Sequence, residues 1–293
     1  MPTSWKNMTL NFWKTMSDSL KPQLLEYALG PALRAFSTTR QGGVSRDNYA
    51  SFNINAYCGD EADSIRQNKQ ALCEELGIEP QRLIMPHQTH TACVRVVDEA
   101  FLASSVAEQQ AALEGIDALI TDQARLCIGV STADCVPVLL ADKDQRVVAA
   151  IHAGWRGTQA GIAANAVETM CRTFNLRAAD LRAVIGPSIS MQAFEVGQEV
   201  YDAFAATGQF PMSQIARRYP SKEGAEKWHI DLWAANFLTL EQCGLPMEHI
   251  QVSGVCTYAQ SDRFFSARRL GINSGRIFTG IMKKGKAGVA KRI

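Results

Sequence analysis

From Gly115 to Gly157 the chain reads GIDALITDQARLCIGVSTADCVPVLLADKDQRVVAAIHAGWRG. Ala118–Ile120, Leu126–Val130, Pro137–Leu140 and Val147–Ile151 are short apolar runs set apart by polar breaks, the pattern of buried strands. They follow one another directly, with no helical stretch between them. That argues against a strict βαβ winding and for mixed or largely antiparallel sheets flanked by helices, an α+β fold. Working outward, Ala32–Ser37, Leu83–Met85, Cys93–Val97, Ala183–Ile185 and Ile250–Val255 read as further strands. Helices are predicted over Ile65–Leu76, closed by Gly77, and over Gly161–Phe174, whose Ile162, Ala166, Val167, Met170 and Phe174 form one stripe. Val196–Phe204 and Leu232–Leu240 are two more.

Composition removes several classes of function. The 293 residues are 46% hydrophobic and 20% charged, which is no disordered chain. Thirty Lys and Arg against 29 Asp and Glu leave a net charge of +1, so no global field draws nucleic acid or an anionic membrane. No apolar run approaches the ~18 residues of a membrane helix, and the N-terminus lacks the apolar core of a signal peptide. Eight cysteines without CxxC pairs read as reduced thiols, which points to the cytoplasm. Residues 1–30 are expected to be an N-terminal appendage and the basic, Gly/Ala-rich residues 283–293 a solvated tail, which leaves 31–282 as the main domain. GxGxxG, GxxxxGK[ST] and GxSxG are all absent.

The chemistry is expected where polar residues interrupt buried strands. Pro86-His87-Gln88-Thr89-His90 lies between two strands, Ser131–Cys135 breaks two others, and His152 ends a strand just before Trp155-Arg156-Gly157. His90, Cys135 and His152 make a candidate three-ligand set whose N and S donors suit Zn²⁺ and leave a fourth position for water. The same residues would also serve a Cys135 nucleophile with a histidine base. Spacing alone does not separate His87 from His90. Asp134 reads as a turn residue or a carboxylate supporting the site. Arg40, ahead of two glycines, and Arg156, at the start of the Gly157–Phe174 stretch, are the candidate anion holders, with surface ion pairs as the plain alternative.

These segments, taken together, resemble a known family. Phe36–Ser45, Asn53-Ile54-Asn55, Gln88-Thr89-His90, Gly115–Leu119, Thr132–Pro137, His152–Gly157, Gly186–Ile189 and Phe264–Arg269 fall in the order found in the YfiH-type, laccase-domain proteins. These were called multicopper polyphenol oxidases and later purine nucleoside phosphorylases. The resemblance spans about residues 32–282. It implies a single compact domain of mixed β-sheets flanked by helices, and it selects His90 over His87 as metal ligand beside Cys135 and His152. It further implies phosphorolysis of adenosine, inosine, guanosine and methylthioadenosine, hydrolytic deamination of adenosine, purine nucleosides and phosphate as small-molecule partners, and Arg40 near the site. Ser188, Ala267 and Leu270 depart from the family's Cys, Tyr and Asp. Zinc is expected rather than copper, because a multicopper mechanism needs more histidines than the five present, and His229 and His249 lie in polar segments expected to be exposed. A Cys-dependent hydrolase, a copper polyphenol oxidase and a non-catalytic nucleoside-binding regulator remain the competing readings.

Overall fold

The computed structural model describes residues 21–220 and 224–285. The predicted strands form and are joined by others: β1 Leu24–Tyr27, β2 Leu33–Thr38, β3 Leu83–Ile84, β4 Val94–Val96, β5 Ala118–Thr121, β6 Cys127–Thr132, β7 Val136–Asp142, β8 Val148–Ala153, β9 Leu181–Ile185, β10 Glu195–Val196, β11 Ala216–Pro220, β12 Glu226–Ile230, β13 Ile250–Val252 and β14 Ile277–Lys283. A five-stranded sheet runs β1-β2-β14-β6-β3 and a six-stranded sheet runs β13-β9-β7-β8-β5-β4. Both are mixed. β14 pairs antiparallel with β2 and β6 while β3 joins β6 in parallel. In the other sheet β7 and β8 form an antiparallel pair while β4–β5 and β13–β9 are parallel.

Strand periodicity turns these two sheets into the middle of a four-layer sandwich. Leu33, Ala35, Ile128, Val130 and Ile281 of the first sheet pack against Leu119, Leu139, Val148, Ala150 and Val184 of the second. The alternate residues of β8, Ala149, Ile151 and Ala153, face the other way and are covered by Ile162, Ala166 and Met170 of the helix Ile162–Phe174 and by Leu232, Ala235 and Leu240 of the helix Leu232–Gln242. On the far side, Phe36, Cys127, Phe278 and Met282 receive Leu72, Cys73 and Leu76 of the helix Ala62–Leu76. That helix ends as expected at Gly77, whose φ of 65° is the left-handed cap conformation glycine adopts freely.

Three readings change. Leu24–Tyr27, inside the expected appendage, is an edge strand paired with β2, so the sheet begins earlier than residue 31; residues 1–20 lie outside the described residues. The Gly161–Phe174 stretch is preceded by a separate short helix, Trp155–Gln159, because Gly161 takes φ 80° between them. A third sheet, β10-β12-β11, was not anticipated. At the C-terminal side, Lys283 completes β14 and Lys284 donates its N–H to the Ala32 carbonyl at 2.8 Å; residues 286–293 of the expected tail lie outside the described residues.

Candidate metal centre

The chain passes three times from one sheet to the other at the same end of the sandwich, and two of these crossings carry donors. Between β6 and β7 the crossing takes only Ala133-Asp134-Cys135, a corner tight enough to put Asp134 at φ 82°. Between β3 and β4 it takes the loop that carries His90, itself at φ 65°. His152 stands at the end of β8, opposite Pro137 of β7, and points into the inter-sheet layer because its neighbours Ile151 and Ala153 face the helices. These three placements bring the His90, Cys135 and His152 donor atoms within 4.8 Å of one another. Cys135 Sγ lies 3.8 Å from His90 Nε2, and the two imidazoles meet edge to face with centroids 4.9 Å apart.

One carboxylate sets two of these donors. Asp117, fully buried just before β5, accepts the Nδ1–H of His152 at 2.6 Å, which leaves Nε2 of His152 for the cluster. It also accepts the backbone N–H groups of Thr89 (3.3 Å), His90 (3.2 Å) and Thr91 (2.7 Å) and the Thr91 hydroxyl (2.8 Å). Burial alone would push the Asp117 carboxyl up; the His152 hydrogen bond and charge, with the Thr91 donors, bring it below its ordinary value. Burial likewise opposes ionisation of Cys135, yet the two histidines beside it draw the thiol below its usual range, towards the thiolate that binds metals. His152 is raised in turn, chiefly by the Cys135 charge acting against burial.

The donor set fits a bound metal, and the backbone leaves room for one. A Cβ placed on Gly154 would come 2.9 Å from His90 Cδ2, 3.0 Å from Cys135 Sγ and 3.6 Å from His152 Nε2, so the space among the donors is kept by a missing side chain. The cluster opens into a cavity of about 550 Å³, a volume suited to a nucleoside-sized ligand. Apolar Ile189, Phe194 and Ile272 share its walls with polar groups. Thr132, on that wall and 1% exposed, has a buried hydroxyl with no hydrogen-bond partner among the described residues.

The remaining sequence candidates fare differently. Asp134 lines the cavity, but Thr257 Oγ1 donates to one oxygen at 2.6 Å and the Arg268 N–H to the other at 2.7 Å, so its carboxylate staples two segments to the corner. Neither arginine expected to hold an anion is part of the wall. Arg40 donates from Nε to the Ala50 carbonyl (2.8 Å) and from Nη1 to the Ser261 carbonyl (2.7 Å), with its guanidinium over the Phe265 ring. Arg156 stacks on Trp155 at 4.3 Å. Arg268 and Arg276 line the cavity instead, and among the described residues neither is paired with a carboxylate. His229, expected to be exposed, is buried: β12 carries it under the Tyr219 ring with Nδ1–H on the Met191 carbonyl.

Asp117 was missed because nothing in the sequence shows where its carboxylate points. The available signal is a charged residue directly ahead of the apolar run Ala118–Ile120, where a buried acid needs a strong partner.

The class this geometry defines is a two-sheet sandwich with a His₂Cys cluster, able to hold a metal ion, at the crossover of its sheets. Within it, this chain belongs to the multi-copper polyphenol oxidoreductase laccase family, which it matches over residues 34–284. It is 49% identical over 247 residues to a purine nucleoside phosphorylase of Bacteroides thetaiotaomicron, covering 84% of this chain and 90% of that protein. It is 46% identical over 252 residues to adenosine deaminase RL5 of an unknown prokaryotic organism, covering 86% and 94%. The crystal structure of Bacillus licheniformis protein YfiH superposes with a TM-score of 0.82 at 30% identity, over 90% of this chain and 97% of that one. Among the described residues no helix is long and apolar enough to cross a membrane.

Proposed function

We propose that this chain is a zinc-dependent purine nucleoside enzyme of the cytoplasm. It phosphorolyses adenosine, inosine, guanosine and methylthioadenosine and deaminates adenosine hydrolytically. The observation that carries this reading is the His90–Cys135–His152 cluster opening into a nucleoside-sized cavity whose wall also holds Arg268 and Arg276. Two relatives, a purine nucleoside phosphorylase and an adenosine deaminase, support both reactions.

His90, Cys135 and His152 would hold the zinc, which when bound supplies a Lewis acid and an activated water. Phosphorolysis moves negative charge onto the purine and brings an anion to the ribose. Arg268 and Arg276 present guanidinium groups for that anion, in the part first assigned to Arg40 and Arg156. The apolar side chains of Ile189, Phe194 and Ile272 give the flat base a surface to lie on.

Copper oxidase chemistry fits less well. One donor cluster occurs among the described residues, and no methionine lines the cavity to serve as an axial ligand. The other three histidines have partners outside the cluster, His87 with Glu114, His229 with Met191 and His249 with Leu181. The eight cysteines are all free, in keeping with a reducing compartment.

The test is incubation of the purified, zinc-loaded chain with adenosine, with and without phosphate, reading adenine, inosine and hypoxanthine by chromatography. Adenine that depends on phosphate and inosine that does not are expected. Cys135→Ala should abolish both together with the bound zinc. Adenine release near the parent rate from a folded, zinc-free Cys135→Ala protein would refute the shared site, and would also argue against a Cys135 nucleophile.

A further inference from the structure

The cavity holds a third histidine, one that the ligand triplet does not use. His87 lines the wall, and its Nδ1–H donates to both carboxylate oxygens of Glu114 at 2.8 Å each. The two residues face each other across an isolated parallel bridge, in which the His87 N–H donates to the Leu113 carbonyl (3.1 Å) and the Gly115 N–H to the His87 carbonyl (3.0 Å). Tyr57 stacks on the imidazole with centroids 3.9 Å apart and planes 20° from parallel. Backbone, ring plane and tautomer are therefore all fixed. The nitrogen left over is Nε2, which among the described residues has no hydrogen-bond partner.

A carboxylate that orients an imidazole and leaves its far nitrogen free is the arrangement of a general acid–base. The rest of the wall offers no equal. Asp134 has a donor on each oxygen, Arg268 and Arg276 donate to backbone carbonyls and have no acceptor nitrogen, and burial pushes the Cys58 thiol up. Hydrolytic deamination needs such a group, because zinc deaminases pair their activated water with a proton-shuttling side chain. Here no carboxylate on the wall is free for that task.

We propose that His87 is the proton-transfer residue of adenosine deamination and that Glu114 is its positioning residue, an inference that rests on the nucleoside reading of the cavity. The water oxygen bonds to C6 of adenine, and the bond from C6 to the amino nitrogen breaks with its electron pair leaving on nitrogen. His87 Nε2 accepts one proton of the water and passes it to the departing amine, which leaves as ammonia. The other water proton ends on N1 of the product, and the imidazole returns to its starting form.

The experiment uses the full zinc-loaded chain with adenosine, in the parent and in His87→Ala, His87→Gln and Glu114→Gln. His87→Ala and His87→Gln should lower kcat for inosine formation by about 100-fold or more. KM for adenosine and zinc content should stay near the parent values. Added imidazole should restore His87→Ala by about 10-fold, a response that a purely structural role would not give. Glu114→Gln should lower kcat by roughly 10-fold at unchanged KM, through loss of the charge that orients the ring. Deamination by His87→Ala within about threefold of the parent, or loss of zinc from both His87 variants, would overturn the assignment. A parent chain that converts no nucleoside refutes the function itself, whereas an active parent with an equally active His87→Ala refutes this inference alone.

Discussion

His152 and Asp117 are joined twice: the imidazole Nδ1–H donates to the Asp117 carboxylate at 2.6 Å, and the His152 backbone N–H donates to the Asp117 carbonyl at 2.7 Å. The second bond extends the β5–β8 ladder by one residue, so the strand pairing that builds the sheet also sets the height of the carboxylate against the ring. Three backbone N–H groups of the His90 loop close on the same carboxylate. Fold and donor geometry thus share one anchor.

Asp117→Asn keeps the size of that anchor and removes its charge. Zinc affinity should fall by about 10–100-fold, as for other carboxylates that orient a ligating histidine. Competition with a chromophoric chelator measures it, and an unchanged affinity would mean that the His152 tautomer is held some other way.

Gly154→Ala tests the space among the donors. The backbone at Gly154, φ −63° and ψ 168°, accepts alanine, so the added methyl acts only through its approach to His90 and Cys135. Zinc content should drop sharply while the circular dichroism spectrum stays that of the parent. Full metal occupancy in the variant would show that the cluster opens without cost.

Arg276 lines the cavity and, like Arg268, has no carboxylate partner among the described residues, which makes it a test for phosphate binding. Arg276→Gln should raise the KM for phosphate by about 10–100-fold, the worth of one or two charge-assisted hydrogen bonds. Arg276→Lys should fall between, since lysine keeps the charge and loses the fork. Initial rates against phosphate concentration decide it, and equal KM values in all three proteins would remove the role.

Glu75 links the helix Ala62–Leu76 to β2 through Arg34 at 2.7 Å and to Lys21 at 3.1 Å. Burial pushes its carboxyl up, but these two cations hold it below the ordinary carboxylate range. A group depressed in the folded state stabilises above its unfolded pKa of about 4.3, and that stabilisation disappears as pH falls through the folded value. Glu75→Gln should therefore melt lower than the parent near neutral pH, by the equivalent of about 1 kcal/mol or less for so accessible a network. The two melting curves should converge below about pH 4. A gap that persists in acid would mean that packing, not charge, is responsible.

The middle of the molecule was legible because each strand from β5 to β8 is buried on both faces and so reads as an unbroken apolar run. Cys135 and His152 were legible because each interrupts or ends such a run, whereas the runs do not separate His90 from His87 and only the family resemblance selects it. β11 and β12 were not, since Ala216–Pro220 and Glu226–Ile230 are largely solvent-facing and carry little periodic signal. β14 was hidden differently: its apolar Ile277–Met282 contains Gly280 and leads into a lysine cluster that resembles a frayed end. The arginines show the sharper limit. Both Arg40 and Arg276 donate to backbone carbonyls, Arg40 to Ala50 and Ser261 and Arg276 to Ile272, Ser274 and Gly275, and only the tertiary fold decides that Arg276 also lines the cavity while Arg40 does not.

The place of β14 has a consequence for synthesis. It sits between β2 and β6, strands made some 150 residues or more before it, and it is preceded in sequence by Arg268 and Arg276 of the cavity wall. Until residues 277–283 emerge from the ribosome, β2 and β6 each present an open edge, the kind of surface that pairs with other chains. The nascent protein must therefore carry an unfinished sheet through most of its translation, and the metal donors at 90, 135 and 152 are exposed long before the wall that covers them exists. For this topology, the three donors and the strand that closes the sheet become available at separate times.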